Sequence, residues 1–148
     1  MTIKYMTQWI GQFSVAAELV KRDYIVSLTL GNAPGVDILC KSPKEKNFSV
    51  QVKSLKSKGY FPFQDKFVQE NIKGLYVVFV YIPKKLNEHP EYFVFSHREF
   101  RKVWQREQKV WAIKERKRGK KYKEWSNGIG YRSLVKNHGK NHWAVLPK

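Results

Sequence analysis

Apolar residues recur at Ile10, Phe13, Ala17 and Val20, the spacing of one helix face, and predict a helix over 8–22 with Thr7 as its N-cap. Tyr24–Leu30 is β-branched and aromatic enough for a strand, and it ends at the breaker cluster Gly31-Asn32-Ala33-Pro34-Gly35. Val36–Lys41 and Phe48–Lys53 are two further strands, joined by Ser42–Lys46, which has the composition of a hairpin turn. After a polar stretch and the aromatics Tyr60, Phe61 and Phe63, a short helix is expected around Gln64–Ile72. Leu75–Ile82 is a continuous apolar run of strand length, as for a central strand buried on both faces, and Pro83 ends it. Tyr92–Phe95 is one more short strand. Ser96-His97-Arg98-Glu99 then has the spacing of a capping box, with Phe100, Val103, Trp104 and Trp111 continuing at helical period. Short apolar pieces at Tyr131–Val135 and Trp143–Leu146 close the chain. The order reads as α/β around a mixed sheet.

Composition narrows the class. The chain has 148 residues, enough for one domain with one core, and 42% of them are hydrophobic, too many for a disordered tail. No apolar run approaches a membrane span, and the first residues lack a signal-peptide pattern, so a cytoplasmic protein is expected. The single cysteine, Cys40, excludes an internal disulfide and a Cys-based zinc site. It alternates onto the apolar face of its strand, where it reads as a small buried hydrophobe.

Charge changes the picture more. Lys plus Arg number 29 against 12 Asp plus Glu, a net +17. Residues 1–96 hold 13 basic and 8 acidic side chains, whereas 97–148 hold 16 and 4, so the bias lies in a basic C-terminal extension from about residue 97. Such a surplus points to a polyanionic partner, most commonly nucleic acid. Lys114, Arg116, Lys117, Arg118, Lys120, Lys121 and Lys123, interleaved with Trp111, Tyr122 and Trp125, suit phosphate contacts with aromatic packing. His138 and His142 are four apart, but Gly139 between them argues against a metal-binding helix.

The hairpin carries the chemistry. Phe48, Val50 and Val52 share one face of their strand, and Ser49, Gln51 and Lys53 the other. Matching apolar faces sets Asp37 opposite Gln51, Leu39 opposite Ser49 and Lys41 opposite Asn47. An acid, an amide oxygen and an ammonium thus gather on one sheet face. That set suits a magnesium phosphodiesterase, because Mg²⁺ takes hard oxygen ligands, keeps several waters and activates one of them. Glu18 sits in the otherwise apolar Ala16-Ala17-Glu18-Leu19-Val20, where a carboxylate needs a cation or a metal.

Glu18, Gly35-Val36-Asp37 and Gln51-Val52-Lys53, in this order, resemble the PD-(D/E)XK nuclease superfamily, closest to its small Holliday-junction-resolvase-like members. The motif region covers residues 8–55. The resemblance implies a restriction-endonuclease-like α-β-β-β-α-β core over a single domain, 1–148. It implies metal ligation of Mg²⁺ (Mn²⁺ as substitute) by Asp37, Gln51, the Val52 carbonyl and Glu18, with Lys53 as the family's lysine. Two positions depart: Val36 replaces Pro, and neutral Gln51 replaces an acid, which should weaken metal binding. The expected activity is hydrolysis of DNA, with Lys56, Lys58 and the Lys114–Lys123 cations on the backbone. Cleaving both strands would favour a homodimer. A binding module that keeps the fold without catalysis is the alternative, and an RNA-binding protein with an accidental tetrad a third reading.

Overall fold

The computed structural model of the chain describes residues 2–119, 128–137 and 139–148. Helix α1 (Ile3–Val20) precedes a hairpin-rich run of β1 (Ile25–Leu28), β2 (Ile38–Lys41) and β3 (Asn47–Leu55). There follow β4 (Tyr60–Pro62), α2 (Lys66–Gln69), β5 (Leu75–Tyr81), β6 (Glu91–Ser96), α3 (His97–Lys117), β7 (Gly128–Gly130) and α4 (Tyr131–Lys136). A 3₁₀ turn, Trp143–Val145, lies near the end. Five strands form a mixed sheet in the order β1-β2-β3-β5-β6, in which β3 and β5 run parallel and the other pairs antiparallel. Among the described residues no helix is long and apolar enough to cross a membrane.

The sheet is packed on both faces. On one, Val15 and Leu19 of α1 lie against Ile38, Val50, Val52 and Val78, each fully buried aliphatic side chain contributing about 1.5–3 kcal/mol. On the other, Phe100 and Val103 of α3 and Leu134 of α4 close over Val77, Phe79 and Phe93. The C-terminal third is therefore no appendage. It supplies part of both cores, and β7 pairs with β4 in a second, two-stranded sheet. Ser96 and Glu99 form the expected capping box.

Two departures matter for the site. Helix α1 starts five residues before the expected Gln8, and Thr7 is inside it, its hydroxyl bonded to Ile3 O (2.9 Å) rather than capping. Its phase also differs. Gly11, Gln12, Val15 and Leu19 face the sheet, while Ile10, Phe13, Ala17 and Val20 are exposed. Close approach decides between the two faces: a Cβ on Gly11 would fall 2.6 Å from Ser54 Cβ, so only glycine lets the helix touch β3 there. The Ser54 hydroxyl then donates to Thr7 O (2.9 Å) and pins the contact.

Candidate active site

The β2–β3 ladder has the expected register, with Leu39 opposite Ser49 and Lys41 opposite Asn47. At Asp37 the ladder slips. Its N–H donates to Val50 O (3.0 Å), one residue short of Gln51, while its C=O accepts from Thr29 N–H (3.0 Å) on the other side. This bulge-like kink follows Gly35, whose φ of +74° favours glycine, and it re-aims the Asp37 side chain toward the gap beyond the end of β2. There Oδ2 accepts the Val52 N–H (2.7 Å), taking the place of a backbone carbonyl that β2 does not provide. The N–H and C=O of one strand residue point to the same side of the strand, so the Val52 carbonyl faces this gap too.

Gln51 and Lys53 project from the opposite face of β3 to Val50 and Val52. The Gln51 Oε1 is buried and, among the described residues, has no hydrogen-bond partner. Lys53 is half-buried, its ammonium 5.4 Å from the centre of the Phe67 ring, and among the described residues it forms no ion pair. Burial pushes the Asp37 carboxyl above its ordinary range, while the Val52 N–H and the Lys53 charge pull it back. Burial likewise lowers the Lys53 ammonium, and Asp37 raises it. The acid and the ammonium thus feel one another across the end of the hairpin.

Glu18 is not part of this arrangement, contrary to expectation. Its carboxylate binds Lys21 (2.9 Å) and Arg22 (2.6 Å) on its own helix, and these partners, Lys21 first, hold its carboxyl below the usual range. The side chain that does reach from α1 is Gln12, whose Nε2 donates to Asp37 Oδ1 at 2.8 Å. Glu18 lies six residues on, about 9 Å along the axis and about 120° around it from Gln12, too far round to share that face. The cation that a carboxylate in this stretch requires is supplied locally.

Further residues support the site from behind. His97 is fully buried and bridges α3 to the segment before β5: its Nδ1 accepts from Ile72 N–H (3.0 Å), so Nε2 carries the proton and donates to Phe67 O (2.6 Å). Arg101 donates to Val68 O and Gln69 O, both at 2.8 Å. Together they fix α2 and so place the Phe67 ring beneath Lys53. Signals for them were present as polar residues at helix positions that face the core, at Gln12 and at His97, one turn before Phe100.

The donor set can be tested against Mg²⁺. Among the described residues no three His, Cys, Asp or Glu side chains converge. The oxygens available are the remaining lone pairs of Asp37, the orphaned Gln51 Oε1 and the Val52 carbonyl. An unpartnered buried amide oxygen is costly unless something outside the chain satisfies it. One carboxylate and two neutral oxygens fit Mg²⁺ that keeps several waters and shares a substrate phosphate, and fit it weakly. An open groove of about 460 Å³ over Ser27, Leu39 and Ser49, lined also by Lys41 and Lys73, lies further along the hairpin, and none of Asp37, Gln51, Val52 and Lys53 lines it.

The other expected positions are dispersed. Lys56 is half-buried, and Lys58 is exposed but shared between Glu91 (3.7 Å) and the rings of Tyr81 and Tyr131. Lys114, Arg116 and Lys117 stand exposed on the last turn of α3, with Arg118 as its C-cap. Lys120, Lys121 and Lys123, with Tyr122, Trp125 and His138, lie outside the described residues. His142 is exposed, and Cys40 is buried, its thiol pushed up to about 12 by desolvation. Comparison with family models, with curated proteins and with solved structures finds no match to this chain.

Proposed function

We propose that this protein is a Mg²⁺-dependent nuclease that hydrolyses DNA phosphodiester bonds on a restriction-endonuclease-like domain. The observation that carries the reading is the half-buried Asp37 carboxylate held at the end of the β2–β3 hairpin by the Val52 N–H and electrostatically coupled to Lys53, with the Gln51 amide oxygen, unpartnered among the described residues, two positions before Lys53 on the same face of β3. From α1 to β5 the order is α-β-β-β-β-α-β, which reduces to the family's α-β-β-β-α-β within the five-stranded mixed sheet because β4 belongs to the second sheet.

Asp37, Gln51 and the Val52 carbonyl would hold Mg²⁺ or Mn²⁺, which when bound polarises the scissile phosphate and makes a water acidic enough to attack. Gln12 and the Val52 N–H hold the Asp37 carboxylate in one orientation. Lys53, partly desolvated and propped on Phe67, donates hydrogen bonds to the attacking water or to the oxygen on which charge develops. The exposed cations Lys114, Arg116, Lys117 and Arg118, with Lys56, would bind the DNA backbone without reading sequence.

A second reading has its own support. Both Asp37 oxygens already accept hydrogen bonds within the chain, and Gln51 adds no charge, as in a nucleic-acid-binding module that keeps the fold without cleavage. A panel of single-stranded, duplex and branched DNA and of RNA, with Mg²⁺ or Mn²⁺, separates the two. The nuclease reading expects cleavage of a DNA member. It also expects Lys53→Ala to lower kcat by about 10²-fold while sparing binding. Binding of every member with cleavage of none selects the module.

A further inference from the structure

A cleft of about 500 Å³ opens at the β6 edge of the five-stranded sheet, between α3 and the segment that follows α4. Backbone builds one wall. Val94 N–H donates to Gly139 O and Asn141 N–H to Tyr92 O, both at 2.8 Å, so residues 139–142 are tied to β6. A Cβ on Gly139 would collide with the Phe95 ring, and glycine lets the segment lie directly on it. Phe95 floors the cleft, and the exposed His142 stands at its rim. The other wall is one flank of α3, where Lys102, Arg106 and Lys109 recur at the four- and three-residue spacing of a single helix face. Arg106 reaches across and donates to Asn137 Oδ1 at 3.0 Å.

The charge of this wall is left over. Each Glu of α3 is taken up inside the chain. Glu99 accepts from the Ser96 N–H and hydroxyl in the capping box. Glu107 accepts from the Ser133 hydroxyl (2.7 Å) and the Asn137 amide (3.2 Å), and Glu115 pairs with Arg118 (3.8 Å). Lys102, Arg106 and Lys109 are exposed, and among the described residues none of them forms an ion pair.

We propose that this cleft binds the phosphate backbone of duplex DNA, as an anchor separate from the hairpin site. The row from Lys102 to Lys109 covers about 10 Å of helix axis. One strand of a duplex places a phosphate about every 3.4 Å of its own axis, so the row faces about three of them. Arg116 continues the same face and extends the line of cations to about 21 Å. A compact polyphosphate would need its cations gathered round one point, not strung along a line. A single strand is held by stacking its bases on exposed rings, and the Phe95 ring is only 3% exposed. Phe95 is in register with Val77 and through it with Gln51, two strands or about 10 Å away. Arg101 turns another flank of α3 toward α2, so the helix stands between the anchor and Lys53. The inference rests on DNA as the partner and not on cleavage.

Anisotropy of a labelled DNA duplex, titrated with the full chain across a salt series, tests it. Replacing Lys102, Arg106 and Lys109 together with Gln should weaken binding at least about tenfold and flatten the slope of log K against log salt by up to about 2.7. Replacing the exposed Lys44, Lys46 and Lys84 with Gln removes the same charge elsewhere and should leave the slope unaltered. If loss of the Arg106–Asn137 bond unfolds the triple variant, Lys102→Gln with Lys109→Gln should still flatten the slope by up to about 1.8. On the unaltered chain, bound duplex should protect Lys102 and Lys109 from acetylation and leave Lys44 reactive. A parental slope in the cleft variants, an equal loss in the control, or unprotected Lys102 and Lys109 overturns the proposal. So does displacement of the duplex by polyglutamate or by single-stranded DNA at the same charge concentration. A wild-type chain that binds no duplex at all removes DNA as the partner as well, whereas binding that ignores the cleft variants removes the anchor alone.

Discussion

Gln12 donates from α1 to the carboxylate of Asp37 at 2.8 Å, and it is the contact by which the first helix reaches the candidate site. Gln12 is itself buried. Removing its amide leaves a half-buried carboxylate with only the Val52 N–H, and a hydrogen bond to a charged group is worth about 1.5–3 kcal/mol. Gln12→Ala should therefore lower the unfolding free energy by about 2 kcal/mol in urea titrations. Glu18→Gln should cost less than about 1 kcal/mol, because it breaks only ion pairs on the helix surface, and should leave cleavage unchanged.

Asp37 makes stability depend on pH with a definite sign. Burial raises its folded pKa above the unfolded value of 3.8, so between those two values the folded chain binds more protons. Stability falls as pH rises through that window, and above it a constant penalty remains. Asp37→Asn removes the penalty and keeps an acceptor for Val52. The free-energy difference between variant and wild type should grow in the variant's favour from about pH 3 upward and then level off. Glu18 and Glu91, whose carboxyls are held below their ordinary range, act in the opposite direction but cancel in that difference. A flat difference curve would place Asp37 in full solvent contact.

Gln51→Glu restores the missing charge beside Asp37. Calorimetric titration should show Mg²⁺ binding tightened about tenfold or more, as an added carboxylate ligand implies. Without metal the variant should melt lower than wild type, because the new carboxylate would sit where the amide oxygen now has no partner. Equal Mg²⁺ affinity in both proteins would mean that Gln51 is no ligand.

The end of α3 should bind phosphates in proportion to its charge. Replacing Lys114, Arg116, Lys117 and Arg118 with Ala should flatten the plot of log K against log salt by up to about 3.6, at about 0.9 per duplex phosphate contact. All sequences should weaken alike, and stability should change little, since these side chains are exposed. An unaltered slope would move the DNA-binding surface elsewhere.

The hairpin was legible because strict alternation in 48–53 admits only one pairing of apolar faces. Ser96 and Glu99 were legible for a similar reason, a cap with fixed spacing. The phase of α1 was not. Ile10, Phe13, Ala17 and Val20 compete with Gly11, Val15 and Leu19 at the same helical period, and the choice rests on how closely Gly11 approaches Ser54, a tertiary contact. Misjudging that face made Glu18 the helix residue of the site and hid Gln12. The β4–β7 pair escaped notice because three-residue strands are too short for alternation to show. The slip at Asp37 depends on a loop bend that no spacing rule encodes.

Cleavage of labelled duplex DNA by wild type and by Asp37→Ala, run beside binding of the same DNA, tests the central claim most directly. The wild-type chain should cut in Mg²⁺ and stop when the ion is chelated, while Asp37→Ala should bind the DNA with near-parental affinity and leave it intact. DNA left whole by the wild type in both Mg²⁺ and Mn²⁺, or cut equally by the variant, would contradict an active centre built on Asp37.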